Sequence, residues 1–292
     1  MAPIEKQLPL IVIVGPTASG KTSLAVEIAK QVGGEIICAD SRTVYKGMDI
    51  GTAKPTPSEQ AQVPHWGLDL AEPGERFTAA DFKDYANKKI LEIRQRGNIP
   101  FLVGGTGLYV DAVVFDYNFG GDINTTLRKK LEVMDMEELR KYCSENNVEL
   151  PENEKNKRYI VRAIERKDIS TKRRSVPADN TYIVGIATEK DVLRDRIAQR
   201  TEQLFANGVV EEAKQLGKKY GWESEAMTGN IYPIAHELLQ GKISENDAKE
   251  KITTQDWRLA KRQITWLKRN EYIRWLSLDE AKRYLQKLLT VV

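Results

Sequence analysis

Apolar residues fall in two patterns along this 292-residue chain. Short, nearly unbroken apolar runs, "LIVIVG" at 10–15, "EIICAD" at 35–40, "IPFLVGG" at 99–105 and "TYIVGIAT" at 181–188, alternate with stretches whose apolar residues recur at helical spacing. Unbroken runs of this length suit strands buried on both faces, and their alternation with helices predicts an α/β fold built on a parallel sheet with helices on both faces. The periodicity predicts helices over Lys21–Gln31, Ala79–Gln95, Val192–Phe205, Val209–Tyr220, Ile231–Leu239, Glu245–Lys251 and Thr253–Arg269. Between "VVFDYNFGGD" and "RSVPADNTY" the chain is charged and helix-patterned without a buried strand, punctuated by Gly120-Gly121 and Pro177. This predicts an inserted α-helical subdomain at 120–175 within a core of 1–119 and 176–292.

The first apolar run leads directly into chemistry. Gly15, Pro16, Thr17, Ala18, Ser19, Gly20, Lys21 and Thr22 fit G-x-x-x-x-G-K-[ST], with a β-branched strand before them and helix formers, Ser23 to Lys30, after. The glycines let successive backbone N–H groups turn inward, the helix N-terminus adds partial positive charge, and Lys21 adds a full one. Thr22 is placed to hold a Mg²⁺ bridging phosphate oxygens. The core is therefore expected to be P-loop NTPase-like, binding a phosphate or diphosphate.

Composition narrows the setting more than the reaction. The chain is 41% hydrophobic and 30% charged, ordinary for a folded protein. Its two cysteines, Cys38 and Cys143, form no C-x-x-C pair, which argues against a disulfide scaffold or a cysteine-built metal site and fits a reducing cytoplasm. The N-terminal apolar run is too short to span a bilayer, so no membrane association is expected. Net charge is only +3, but residues 257–292 carry nine basic residues against three acidic, and "KNKRYIVRAIERKDISTKRR" at 155–174 forms a second basic cluster. Two local basic patches on a nearly neutral chain suit a polyanion touching two places, though solvated helix faces give the same pattern.

In open α/β sheets ligands gather at the carboxyl ends of the strands, which puts Asp40, at the end of the second run, beside the P-loop. A carboxylate there can hold Mg²⁺ through water or accept a proton; Asp-Ser after a strand is also a common helix cap. The stretch around it, "DSRTVYKGMDIGTAKP" at 40–55, resembles the bacterial tRNA dimethylallyltransferases, also called tRNA isopentenyltransferases. "GPTASGKT" at 15–22, "FTAADF" at 77–82, "IPFLVGGTGLY" at 99–109, "RIAQR" at 196–200, "NGVVEEAKQL" at 207–216 and "AKRQITW" at 260–266 follow in that family's order.

The resemblance implies prenyl transfer. The P-loop would hold the diphosphate of dimethylallyl diphosphate with Mg²⁺, and the exocyclic amine of the adenosine 3′ of the anticodon in a tRNA would attack the allylic carbon. It implies Asp40, Thr106 and Arg200 as catalytic residues: Asp40 as base, Arg200 on the leaving diphosphate. Ser41, Arg42 and Thr43 would line the target adenosine. Arg158, Arg162, Lys261, Arg262, Gln263, Trp266 and Lys268 would complete the tRNA contacts, in a protein expected to act as a cytoplasmic monomer.

From the residues alone, Thr106 could simply shape a turn and Arg196 and Arg200 a solvated helix face, while His65 and Asp69 read as structural. The last long helix carries one apolar stripe, Trp257, Ala260, Ile264 and Leu267, with Lys261, Arg262, Thr265, Lys268 and Arg269 off it. Such a helix suits phosphate contacts that position RNA, with the target base flipped out. The chain departs from the family at His65-Trp66-Gly67, Tyr159, Ile231 to Pro233 and Asp256-Trp257, and its insert is short. Those positions concern tRNA handling more than prenyl transfer. A P-loop kinase of a small metabolite, an isopentenyltransferase acting on free AMP, and an RNA-binding protein with a decayed P-loop remain the alternatives.

Overall fold

The structure, a computed structural model, describes residues 7–119, 125–151, 153–167 and 173–290. The chain divides into two compact units, Met1–Phe115 with Val176–Val292, and Asp116–Ser175. The first boundary falls at 115/116 where the sequence suggested 119/120; Gly120 and Gly121 lie outside the described residues.

In chain order the elements are β1 (Leu10–Val14), α1 (Lys21–Val32), β2 (Gly34–Cys38), α2 (Pro57–Gln62), β3 (His65–Trp66), α3 (Ala79–Gln95), β4 (Ile99–Gly104), α4 (Gly107–Val114), α5 (Thr125–Val133), α6 (Met136–Glu145), α7 (Lys157–Glu165), β5 (Thr181–Ile186), α8 (Lys190–Ala206), α9 (Val209–Tyr220), α10 (Tyr232–Leu239), α11 (Glu245–Leu267), β6 (Arg274–Leu276) and α12 (Leu278–Leu289).

The larger unit holds one six-stranded sheet of order β3-β2-β4-β1-β5-β6, parallel throughout. The four long strands are the four apolar runs. Period-two alternation decides which helix each residue meets. Ile11, Ile13, Ile36, Phe101, Val103, Val184 and Ile186 join one buried cluster with Leu24, Ile28, Ala281 and Leu285 from α1 and α12. The intervening residues Val12, Val14, Ile37 and Leu102 are fully buried against the other face, where α3 and α4 pack on β4. This matches the expected P-loop-like sheet with helices on both sides.

The expected break near Ile252 is absent: Glu245–Leu267 is one helix, started by a Ser244/Asp247 capping box. Its stripe is continuous through Ala248, Ile252, Asp256 and Ala260, so the β-branched pair Thr253-Thr254 does not interrupt it. Two short strands went unpredicted. His65-Trp66 pairs with β2, and Arg274–Leu276 with β5. The smaller unit packs α5, α6 and α7 around Leu131, Leu139, Cys143, Ile160 and Ile164. No helix among the described residues is long and apolar enough to cross a membrane.

Candidate active site

The strand order brings the carboxyl ends of β2, β4 and β1 side by side, and the three loops leaving them build one site. After β1, the chain turns through Ala18 (φ 61°) and Gly20 (φ 88°) into α1. Both are left-handed, a conformation glycine adopts freely and alanine at a cost, and strain of this kind is common where a loop must aim its N–H groups.

The P-loop is braced from two helices distant in sequence. Gln263 of α11 accepts a hydrogen bond from Thr17 N at 2.8 Å. Arg200 of α8 donates through Nη1 to Thr17 Oγ1, and Arg196, one turn earlier, donates to Ser19 O at 3.4 Å. "RIAQR" thus faces the phosphate loop rather than solvent. Lys21 Nζ donates to Pro16 O at 3.1 Å. Desolvation lowers the Lys21 pKa to about 8, with Asp40 pulling it back up and Arg200 pushing it down. Lys21 therefore remains mostly charged at neutral pH, in surroundings that gain from an anion.

Asp40 follows β2 and Thr106 follows β4. The two strand ends approach so closely that a Cβ on Gly104 would stand 2.0 Å from Ala39 O; only glycine fits there. Thr106 Oγ1 accepts from Ser41 N at 3.1 Å and Asp40 Oδ1 from Arg42 N at 2.8 Å, which fixes the 40–43 turn. Thr106 occupies the N-cap position of α4 without donating or accepting a capping bond there, so its hydroxyl shapes the site rather than the helix end. Cys38, beneath Asp40, is buried, and burial above all raises its thiol to about 12. It is no nucleophile at neutral pH.

These loops enclose a cavity of about 430 Å³, within the range of small-molecule sites. Thr17, Ala18, Gly20, Lys21 and Thr22 line one side, Asp40 to Thr43 and Thr106 another, and Arg200, Arg262, Gln263 and Asp256 reach in from α8 and α11. A phosphate cradle and a carboxylate thus share one space. Among the described residues no group of three or more His, Cys, Asp or Glu could hold a metal ion. The donor present, one threonine hydroxyl at the head of a P-loop helix, would fit a Mg²⁺ that took its other oxygen ligands from substrate phosphates and water.

The expected tRNA-contacting residues separate into groups. Asp40, Ser41 and Thr43 line the cavity. Arg42 does too, with its guanidinium donating to Glu225 O at 3.1 Å and Ala226 O at 3.3 Å. Arg262 lines the cavity, Lys261 is exposed on α11 and Lys268 is exposed at its C-cap. Gln263 uses its carbonyl on the P-loop. Trp266 donates from Nε1 to Asp111 Oδ2 at 2.7 Å and lies so close to Gly107 that a Cβ there would come within 2.1 Å of its ring; it ties α11 to α4. In the smaller unit, Arg158 is exposed on α7, and Arg162 pairs with Glu165 at 3.1 Å. Residues 168–172 of the second basic cluster lie outside the described residues.

Several positioning residues escaped sequence reasoning. Glu212 of α9 accepts from the backbone N–H groups of Asp49, Ile50 and Gly51 at 2.9, 2.7 and 2.8 Å, and from Tyr232 OH at 2.9 Å. Buried Lys54 donates to Tyr45 O at 3.0 Å and pairs with Asp49 and Asp69 at 2.5 and 2.7 Å. Together they hold the 45–54 arm that forms one edge of the cavity. Glu212 stands inside the quoted "NGVVEEAKQL", but its backbone partners lie about 160 residues away and no local pattern announces them.

The family model described as IPP transferase matches residues 43–270, and a second, described as isopentenyl transferase, matches residues 8–69. The chain belongs to the IPP transferase family. It is 37% identical over 296 residues to the tRNA dimethylallyltransferase of Pelotomaculum thermopropionicum, covering 96% of this chain and 94% of that protein. With the tRNA dimethylallyltransferase of Acetivibrio thermocellus it shares 38% identity over 288 residues, with 93% and 92% covered. The crystal structure of the full-length tRNA isopentenylpyrophosphate transferase of Bacillus halodurans superposes with a TM-score of 0.74 at 35% identity, covering 98% of this chain and 95% of that one. A eukaryotic dimethylallyltransferase acting on tRNA, 22% identical over 93% of this chain and 74% of its own, shares the fold at a TM-score of 0.78. The resemblance drawn from the motifs holds, and the protein is a transferase of this family.

Proposed function

We infer that this protein transfers the dimethylallyl group of dimethylallyl diphosphate to the exocyclic amine of the adenosine 3′ of the anticodon in tRNA, releasing pyrophosphate. The observation that carries this reading is one cavity holding a diphosphate cradle on one wall and the Asp40–Thr106 pair on the next. In such an arrangement the amine lone pair forms the new bond to the allylic carbon while the carbon–oxygen bond to diphosphate breaks. The amine gives its proton to the Asp40 carboxylate. Charge growing on the leaving group meets the P-loop N–H groups, the partly desolvated Lys21 ammonium and Arg200. Thr106 holds the Asp40 turn through Ser41 N. A Mg²⁺ on Thr22 would add Lewis-acid stabilisation of the diphosphate when bound.

The tRNA dimethylallyltransferases that the chain matches along almost its whole length weigh against a kinase. An anticodon arm supplies phosphates for exposed Lys261 and Lys268, which a ligand the size of free AMP would not need. The same reading has the enzyme working as a monomer in the cytoplasm, where both its cysteines stay free. Asp40→Asn tests the chemistry. It should bind dimethylallyl diphosphate normally and lower single-turnover transfer by a factor on the order of 10² or more; unchanged transfer would remove Asp40 from the mechanism.

A further inference from the structure

Helix α11 lines the cavity with a stripe of three residues at i, i+3 and i+7: Asp256, Leu259 and Gln263. The chemistry changes along it. Gln263, the last of the three, accepts from Thr17 N at 2.8 Å and so stands on the phosphate loop. Leu259 lies four residues back, about 6 Å along the helix axis. Asp256 follows after roughly 4.5 Å more. One apolar turn is thus set between a polar contact at the P-loop and a carboxylate beyond it.

Most other large apolar groups on the cavity wall are committed elsewhere. Cys38 and Val103 are buried in the sheet core, and Ile231 is buried in the cluster that Leu204 and Ile252 form between α8 and α11. Tyr232 is 2% exposed, with its hydroxyl on Glu212. Leu259 and the Pro55 ring remain, both half-buried. Of these two, Leu259 stands on the helix that touches the P-loop.

We propose that Leu259 is a specificity-determining residue, whose side chain packs against the hydrocarbon of the allylic diphosphate and limits that hydrocarbon to one isoprene unit. This deepens the reading of the P-loop as a dimethylallyl diphosphate site and rests on it. A diphosphate seated on the loop N–H groups directs its hydrocarbon away from them, and one helical turn of apolar wall matches a five-carbon chain. A geranyl chain, one isoprene unit longer, would run on to the turn that carries Asp256, where its second unit gains no apolar contact.

The test is calorimetric binding of methyl, dimethylallyl and geranyl diphosphate to the full chain with Mg²⁺, which needs no turnover. Methyl diphosphate carries the same head group without the chain, so the preference for dimethylallyl over methyl diphosphate reads the prenyl contact alone. Leu259→Ala should cut that preference by about tenfold, the worth of one apolar side chain, and leave methyl diphosphate affinity within about twofold. It should also bring geranyl diphosphate level with or ahead of dimethylallyl diphosphate, while Leu259→Met, which conserves volume, keeps the wild-type order. An unchanged preference in Leu259→Ala overturns the proposal. So does an equal loss for all three ligands, which would make Leu259 a support of the P-loop, and so does continued exclusion of geranyl diphosphate. A wild type that shows no preference for dimethylallyl over methyl diphosphate sinks the underlying donor reading as well. Should Leu259→Ala fail to fold, Leu259→Val decides by the same criteria, with a shift of about fourfold for the one methylene removed.

Discussion

Replacing Gln263 by alanine separates two roles that its place in the sequence does not distinguish. On a basic helix it reads as a tRNA contact; in the structure its Oε1 accepts from Thr17 N at 2.8 Å, while its amide lies where a Cβ on Gly105 would be 2.5 Å away. Alanine removes one hydrogen bond and leaves a half-buried N–H in the phosphate loop without its partner, a loss of about 1–3 kcal/mol. Thr17 is also the residue on which Arg200 rests, so the loosening falls on diphosphate binding directly. A shift of about 1.5–2 kcal/mol corresponds to a roughly 10- to 30-fold rise in the Kd for dimethylallyl diphosphate, with tRNA affinity unchanged. Titration of each substrate separately, by calorimetry and by filter binding, reads both. Weakened tRNA binding with intact diphosphate binding would refute the reasoning and return Gln263 to the RNA surface.

Three further outcomes follow from other parts of the site. Because Lys21 is already protonated below about pH 8 and an anion favours its charged form, affinity for dimethylallyl diphosphate should be full below that pH and fall by up to tenfold per unit above it; Lys21→Met should abolish the dependence. Glu212→Gln sets an amide NH₂ against backbone donors among Asp49, Ile50 and Gly51 or against Tyr232, and should lower stability by about 2–4 kcal/mol, measured by urea unfolding. Lys261→Glu with Lys268→Glu should weaken tRNA binding and flatten the slope of log K against log salt by about one to two, leaving pyrophosphate binding as it was; unchanged salt dependence would take the tRNA path off this helix.

The sheet was legible because unbroken apolar runs such as Leu10–Val14 have only one comfortable environment, and the P-loop because its glycine spacing carries its own geometry. Elements lacking a period were not. Helix α4, "GLYVDAVV", is buried on nearly every side and shows no polar face, while β6 is three residues long and partly exposed at the sheet edge. Asp40, Thr106 and Arg200 could be named from motifs and do meet in one cavity. The residues that hold them could not, since Gln263 finds Thr17 across 246 positions and Glu212 finds Gly51 across 161. Helical spacing identifies the stripe facing a core; it does not mark the polar stripe of α11 that faces another loop. Trp266 shows the converse: an aromatic residue among cations looks poised for a nucleobase, yet its indole is bonded to Asp111.

The central claim is that a diphosphate on the P-loop and an amine at Asp40 meet in one reaction. Dimethylallyl diphosphate labelled in the prenyl chain, offered with Mg²⁺ and unmodified tRNA in a single turnover, tests it when the product is digested to nucleosides and the label located. The label should reside on the exocyclic nitrogen of the adenosine 3′ of the anticodon, with stoichiometric pyrophosphate, no requirement for ATP and little transfer to free AMP. Label on AMP in preference to tRNA, or none on any nucleoside while ATP is consumed with a small acceptor, would contradict it.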